Sequence, residues 1–320
     1  MEWTLHVSQP GDVRAEFLPS ERATEAASSA DSRIQKTMSE PFRLMDEVYG
    51  RIHASRIAYG TEFCENLIGE PQPLNAVLAE VRRQGLDFTF LTPYVSDRGI
   101  ARLRPLFAAL AAHAEVAERP TEVVFNDWGV LRLLRREFPE LKPVQGRLLN
   151  KSLRDPRITG LLPDAPSGLI QLSTTAALKE TNLDSSGYVQ LLLAMGVERV
   201  ELDNLPQGMD LEAVPPELKI GVYVPFGFVA TARACMSAGL GYETPQKFVH
   251  GAPCKHECQT HHLIYTYTNS PFPNRDQEFY LKGNTYFYGH SDKMLRNVDA
   301  QALEGRIDRF MFQPHLPMWS

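Results

Sequence analysis

The sequence lacks a long hydrophobic run, a secretory leader and an excess of basic residues. No stretch approaches the 18 or so apolar residues of a membrane-spanning helix, so we expect no membrane span. The first residues have no cationic start followed by an apolar core, so we expect no secretory signal. With 33 Lys and Arg against 39 Asp and Glu, the net charge is −6, which makes a nucleic-acid partner less favourable. These absences favour a cytoplasmic protein.

Cysteine is also scarce, with four residues in a chain of 320. A cytoplasmic chain of this length does not need a disulfide framework, so we expect the thiols to be reduced, metal-bound or catalytic. The common catalytic motifs are missing as well: there is no Gly-rich phosphate loop, no G-x-S-x-G elbow and no H-E-x-x-H helix. The sequence therefore gives no indication of a hydrolase of those kinds.

A regular alternation of short apolar runs and amphipathic stretches is present instead. The apolar runs predict eight strands, at 3–7, 56–60, 88–92, 122–126, 144–149, 199–203, 219–224 and 306–312. Helical spacing separates them; Leu74, Val77, Leu78 and Val81, for example, share one face of a helix. This order predicts an α/β fold, a single (β/α)8 TIM-like barrel that spans residues 1–320.

Two segments interrupt the alternation. Residues 19–41 are small and polar, and we expect a flexible excursion or a frayed helix there. Residues 225–305 form a long, cysteine-rich insertion between the seventh and eighth strands, where the pair Gly283-Asn284 indicates a β-hairpin turn. A long insertion after a barrel strand is a common place for a functional site.

The four cysteines are expected on one face of this barrel. Cys64 follows the second strand, Cys235 follows the seventh, and Cys254 and Cys258 lie in a polar loop of the insertion. Loops at the carboxyl ends of barrel strands build active sites, so four thiols gathered there indicate a metal site. Four thiolates bind either zinc or an iron–sulfur cluster.

The residues leave two other metal sites open. Cys254 and Cys258 could form a local zinc site with His261 and His262, which would leave the other two cysteines without a ligand role. A radical S-adenosylmethionine site would need a third cysteine where His261 stands, so the sequence departs from that pattern.

Polar residues near the cysteines and at strand ends are further candidates. A substrate-binding face is predicted at the ends of three strands, from Asp203, Asn204, Asn126 and Tyr94, although such residues also cap helices or pack. Neighbours of the thiols that could offset the charge of a cluster, as a second shell, are Arg233, Lys255 and His256.

The order of the cysteines resembles the collagenase-like peptidase family U-32, and within it the UbiV-like iron–sulfur proteins of oxygen-independent ubiquinone biosynthesis. The matching elements are Cys64 after an early strand, an Ala-Arg-Ala element before Cys235, and the C-x3-C pair of Cys254 and Cys258. The resemblance covers roughly residues 55–260. The sequence departs from the family in its long gap before Cys254, its long first connection and a displaced acidic residue after the sixth strand.

The resemblance implies a 4Fe-4S cluster on the four cysteines. It also implies oxygen-independent hydroxylation of an aromatic or apolar small molecule, with prephenate as a possible oxygen donor and a related family member as heterodimer partner. Other members are described as peptidases or modify RNA bases, and both activities remain alternatives. A further alternative is a non-catalytic scaffold subunit that carries the cluster.

Overall fold

The computed structural model describes residues 1–26, 32–162, 172–243, 247, 254–267 and 277–318. The strands are β1 (Glu2–Val7), β2 (Glu16–Phe17), β3 (Ile52–His53), β4 (Arg56–Gly60), β5 (Asp87–Leu91), β6 (Glu122–Phe125), β7 (Lys142–Gln145), β8 (Arg199–Asp203), β9 (Lys219–Val224), β10 (Phe226–Thr231), β11 (Leu263–Tyr265), β12 (Phe279–Lys282), β13 (Thr285–Gly289) and β14 (Arg309–Phe312). The helices are α1 (Pro19–Ala26), α2 (Ser32–Tyr49), α3 (Pro71–Gln84), α4 (Asp97–Ala117), α5 (Trp128–Glu137), α6 (Leu172–Leu178), α7 (Ser186–Ala194), α8 (Met236–Gly239) and α9 (Asp292–Leu303).

Eight parallel strands close into a barrel in the order β1-β14-β9-β8-β7-β6-β5-β4. These are the eight strands expected from the sequence, and the TIM-like α/β fold is confirmed. The fifth strand is shifted: it ends at Gln145, whereas Arg147–Leu149 forms a 3-10 turn that the sequence pattern places in the strand. The turn occurs because Arg147 leaves the strand to reach buried carboxylates at the end of the barrel.

Helices cover most of the outside of the barrel. In α3, the expected stripe of Leu74, Val77, Leu78 and Val81 is buried. The connection between β8 and β9 departs from the regular pattern, because residues 204–218 contain no helix and cover the barrel with buried side chains of a loop. Of the predicted excursion at 19–41, residues 19–26 form α1 and residues 32–41 belong to α2, while residues 27–31 lie outside the described part of the chain. None of the helices described is long and apolar enough to cross a membrane.

The insertion between β9 and β14 builds a four-stranded antiparallel sheet in the order β10-β13-β12-β11. β12 and β13 pair around Gly283 and Asn284, where the sequence indicates a hairpin turn, and Gly283 has a φ of 62°. The sequence does not predict β10 as a separate strand, because only Pro225 separates its apolar residues from those of β9. Since β10 follows the carboxyl end of β9, the sheet lies over that end of the barrel.

Gly60, the last residue of β4, has no room for a side chain. Its φ is 119°, and a Cβ atom there would overlap the carbonyl oxygen of Leu91 on the neighbouring strand. We expect Gly60→Ala to lower the free energy of unfolding by roughly 3 kcal/mol, from backbone strain and steric overlap together. Urea denaturation measures the change. The control is Gly11→Ala, whose methyl group would meet nothing within 4 Å; equal stability of the two variants would refute the explanation.

A layer of charged side chains fills the amino-terminal end of the barrel. Arg309 Nη1 lies 2.6 Å from Glu122 Oε2 and 3.3 Å from Glu201 Oε1. Burial raises the pKa of Glu201 to about 7 despite the nearby Arg309. Burial also acts on Glu122, but Arg309 and Arg56 outweigh it and lower the pKa of Glu122 to about 2. Arg309 therefore lies beside two carboxylates, those of Glu122 and Glu201, whose pKa values are shifted in opposite directions.

Stability should depend on pH through Glu201. Between pH 4.5, its ordinary pKa, and pH 7, the folded chain holds a proton on Glu201 that the unfolded chain has lost. The contribution of Glu201 to stability therefore falls as the pH rises through this window, by about 3 kcal/mol. The buried His6 and His290, whose pKa values burial lowers to about 4 and about 3, contribute in the opposite direction. Glu201→Gln should remove this contribution, so that its stability gains about 3 kcal/mol relative to the unsubstituted chain as the pH rises through the window, measured by urea denaturation at several pH values. The exposed Glu180→Gln is the control; equal slopes for Glu201→Gln and the unsubstituted chain would refute the assignment.

Candidate functional site

The structure brings the four cysteine thiols, here called the thiol site, into one region. Cys64 follows β4 of the barrel, Cys235 caps the N-terminus of α8, and Cys254 and Cys258 precede β11. Burial raises the pKa of the Cys64 thiol to about 12, and electrostatic repulsion from the thiolate forms of the other three contributes to this rise. The charge on Cys235, Cys254 and Cys258 therefore reaches the sulfur of Cys64, which is far away from them in the sequence.

N–H groups point at the sulfur atoms. Cys235 Sγ accepts a hydrogen bond from the backbone of Ala238 at 3.5 Å, Cys254 Sγ from His256 at 3.4 Å, and Cys258 Sγ from Gln259 Nε2 at 3.4 Å. Hydrogen bonds to sulfur are among the features that tune iron–sulfur centres. The donor set therefore fits a group that carries negative charge on its cysteine sulfurs.

Lys282 places a buried amine beside the thiol site. Burial lowers the pKa of Lys282 to about 7, and the nearby thiolate of Cys258 acts in the opposite direction. The Nζ atom also lies 3.5 Å from the carbonyl oxygen of Leu316. In the sequence this lysine follows the aromatic run of β12, and its spacing gives no signal of this position.

Among the described residues, no three His, Cys, Asp or Glu side chains form a group that could hold a single metal ion. Zinc holds sulfur ligands within about 4 Å of one another, because each Zn–S bond is about 2.3 Å long. The local zinc alternative therefore gains no support, and His261 Nδ1 instead lies 2.7 Å from Thr260 Oγ1. In a cluster, irons and sulfides separate the cysteine sulfurs, so four cluster ligands need not lie within reach of a single ion.

A cleft of about 520 Å³ opens beside the thiol site. It is lined by Tyr94, Asn126, Leu148, Asn150, Lys151, Ser152, Arg154, Phe228, Ala230, Thr231, Ala232 and Arg233. Tyr94 lies between the cleft and the thiol site. It lines the cleft. Burial is the main cause that raises the pKa of its hydroxyl, and the Cys64 thiolate adds to this rise. The cleft lining carries three cations and no carboxylate.

The predicted substrate face divides into two pairs. Tyr94 and Asn126 line the cleft, where Asn126 donates to the carbonyl oxygen of Thr92 at 2.8 Å. Asp203 and Asn204 lie outside the cleft lining and are buried. Asn204 donates to the carbonyl oxygen of Met294 at 3.0 Å, so it fastens the insertion to the barrel.

The three residues predicted to surround the thiols, Arg233, Lys255 and His256, make different contacts. The backbone N–H of His256 donates to Cys254, but the imidazole is on an exposed residue. The guanidinium of Arg233 lies 5.2 Å from the ring centre of Tyr94, at the cleft. Lys255 Nζ lies 6.0 Å from the ring of Tyr242. Lys282, which is not among these three, lies close enough to Cys258 for its charged form to lower the pKa of that thiol.

The sequence does not predict a buried network of charged side chains around Arg147. Arg147 is fully buried; its Nη2 lies 2.8 Å from Glu62 Oε2 and its Nη1 lies 3.0 Å from Asp203 Oδ1. Arg154 Nε lies 2.9 Å from the other oxygen of Asp203. Burial opposes the charge on Arg147, but the two carboxylates outweigh it and raise its pKa. Two arginines and two carboxylates thus balance beneath the cleft. The sequence features that could have indicated this network are two acidic residues. Glu62 stands two positions before Cys64, and Asp203 is the last residue of β8.

Comparisons with known proteins give no family assignment. No family model matches the chain, and no curated protein matches it. Similar solved structures include the U32 peptidase Mk0906, with a TM-score of 0.38 and 12% identity over 99% of this chain and 94% of that chain. The spore cortex-lytic enzyme SleL of Bacillus megaterium has a TM-score of 0.36 and 9% identity over 97% and 70% of the two chains. A class V chitinase from Cycas revoluta has a TM-score of 0.36 and 10% identity over 98% and 94%. Similarities this distant carry no argument about function; the barrel rests on the closed strand order itself.

Proposed function

We propose that the chain is an iron–sulfur protein of the U-32 type, which binds a 4Fe-4S cluster through Cys64, Cys235, Cys254 and Cys258. The supporting observation is that cysteines from two other segments, Cys235 and the pair Cys254 and Cys258, lie close enough to Cys64 for their charge to raise its pKa. The N–H groups directed at three of the sulfurs and the buried Lys282 suit an anionic cluster. When bound, such a cluster supplies redox or Lewis-acid activation.

The proposed activity is oxygen-independent hydroxylation of an aromatic or apolar small molecule, in partnership with a related subunit. The cleft beside the thiol site supports this proposal because it combines apolar walls at Leu148 and Phe228 with the cations Lys151, Arg154 and Arg233. Lys151 and Arg233 suit a carboxylate-bearing oxygen donor, such as the prephenate that the family resemblance implies, whereas Arg154 already pairs with Asp203. The role of this chain would be to orient substrate and donor beside the cluster.

Anaerobic purification followed by an absorption spectrum, iron analysis and sulfide analysis tests the proposal. We expect a brown protein with about four irons and four acid-labile sulfides per chain, as four cysteine ligands would hold. A colourless protein that contains one zinc and no sulfide would overturn it and favour the local site of Cys254, Cys258, His261 and His262 instead.

A second candidate function is that of a non-catalytic subunit that carries the cluster for a related partner. The cleft lining contains no carboxylate to act as an acid or base, and Asp203 is occupied by two arginines. Hydroxylation assays with the purified chain alone and with the partner separate the two functions. Turnover by the chain alone would exclude the non-catalytic one.

A further inference from the structure

The turn between β12 and β13 contacts the segments of three of the four cysteines. Gly283 accepts a hydrogen bond from the backbone N–H of Ser237, two residues after Cys235, at 3.0 Å. A Cβ atom on Gly283 would lie 3.3 Å from the Cβ of Cys258. The next residue, Asn284, donates to the carbonyl oxygen of Phe63, the residue before Cys64, at 2.8 Å. This turn therefore links the segments of Cys64, Cys235 and Cys258.

The side-chain amide of Asn284 has more acceptors than hydrogens. Its Nδ2 atom lies 2.8 Å from the carbonyl oxygen of Phe63, 2.6 Å from that of Ala232 and 2.8 Å from the hydroxyl of Tyr94. Carbonyl oxygens only accept, so the nitrogen must face them, and Thr285 Oγ1 donates to the amide oxygen at 3.0 Å. Two N–H hydrogens are therefore shared among three oxygens inside a buried residue.

Tyr94 links the amide of Asn284 to the cleft. Its hydroxyl donates to the carbonyl oxygen of Ala232 at 2.7 Å and accepts from Asn284, while its ring forms part of the cleft lining. A displacement of Phe63 beside Cys64 changes how Asn284 shares its hydrogens. The Tyr94 hydroxyl must then adjust, because it is one of the three oxygens.

We propose that Asn284 is a positioning residue that couples the thiol site to the cleft through the hydroxyl of Tyr94. The proposal rests on the proposed function, since it names the residue by which events at the cysteines are communicated to the substrate side. Such coupling is reciprocal: a change made only at Tyr94, on the wall of the cleft, alters the behaviour of Cys64.

The test compares Tyr94→Phe, which removes one hydroxyl, with Asn284→Asp, which removes both N–H donors at nearly constant shape. The first readout is the rate at which iodoacetamide alkylates Cys64 in metal-free protein, followed by peptide mass spectrometry. The second readout is the electron paramagnetic resonance spectrum of the reduced, anaerobically purified protein. Tyr188→Phe is the matched control, because it removes a hydroxyl that donates to Gln145 Oε1 at 2.6 Å, outside both sites.

We expect Tyr94→Phe and Asn284→Asp to change the alkylation rate of Cys64 by about fivefold or more, at the lower end of typical coupling strengths. Tyr94→Phe should keep the melting temperature of the unsubstituted chain, and Tyr188→Phe should leave the rate unchanged. An unchanged rate in Tyr94→Phe, or an equal change in Tyr188→Phe, would overturn the proposal. If Asn284→Asp fails to fold, Asn284→Ala, which also removes both N–H donors, takes its place, and an unchanged rate in a folded Asn284 variant would overturn the proposal.

The two readouts keep this proposal separate from the proposed function. If the unsubstituted chain holds no iron, the cluster proposal fails, while the alkylation rates still measure the coupling. If the chain holds a cluster and the spectra of the Tyr94→Phe and Tyr188→Phe proteins are both unaltered, with unchanged alkylation, the coupling fails and the cluster stands.

Discussion

Arg147→Met should lower the free energy of unfolding by about 3–5 kcal/mol, the cost of breaking a buried ion pair by removing one partner. Glu62 and Asp203 are both fully buried against the Arg147 guanidinium. Asp203 keeps Arg154, but the ion-pair partner of Glu62 is lost, so a carboxylate remains in a site without solvent. Chemical denaturation monitored by circular dichroism measures the loss.

Two comparisons identify the cause of that loss. Arg104→Met removes an arginine that pairs with Glu137 at the surface, where both side chains are about half exposed, and should change stability little. Adding Glu62→Gln to Arg147→Met should recover part of the stability, because the stranded charge is gone. A loss no larger than that of Arg104→Met would contradict the role assigned to the buried network.

Cys64→Ala should reduce the iron and sulfide content of anaerobically purified protein to less than about a tenth of that of the unsubstituted chain. Cys64 is the thiol-site cysteine on the barrel, whereas Cys235, Cys254 and Cys258 belong to the insertion. Without Cys64, a four-cysteine cluster lacks one ligand and its attachment to the barrel. Iron and sulfide assays on the purified variant provide the measurement.

The controls for this prediction are His261→Ala and His262→Ala. A cluster on four cysteines needs neither histidine, so both variants should keep full iron content. A zinc site on Cys254 and Cys258 needs both and does not need Cys64. Full cluster content in Cys64→Ala protein would refute the four-ligand model.

The strands of the barrel could be predicted because their apolar residues form short runs that end in polar residues. All eight lie where the runs predict them, apart from shifts of a few residues at their ends. The largest shift is at Arg147, where local sequence continues a strand but a tertiary ion pair ends it. β10 could not be predicted as a separate strand, because its apolar residues continue those of β9 across Pro225.

The candidate site was less accessible to sequence reasoning. Cysteine spacing led to the thiol site, because cysteine is rare and its chemistry is restricted. Arg147, Lys282 and Asn284 gave no comparable signal, since arginine, lysine and asparagine are mostly exposed and a turn residue suggests a turn first. Their positions depend on contacts between the barrel and the insertion, and those contacts have no local pattern in the sequence.

The division of the thiol site between barrel and insertion has a consequence for the life of the protein in the cell. A cluster held by Cys64 on one side and Cys235, Cys254 and Cys258 on the other would fasten the insertion to the barrel. The free energy of cluster binding would then add to the stability of the folded insertion. We expect iron shortage to open this region first and expose it to proteases. Turnover of the chain would therefore follow the iron supply, even where its substrate is plentiful.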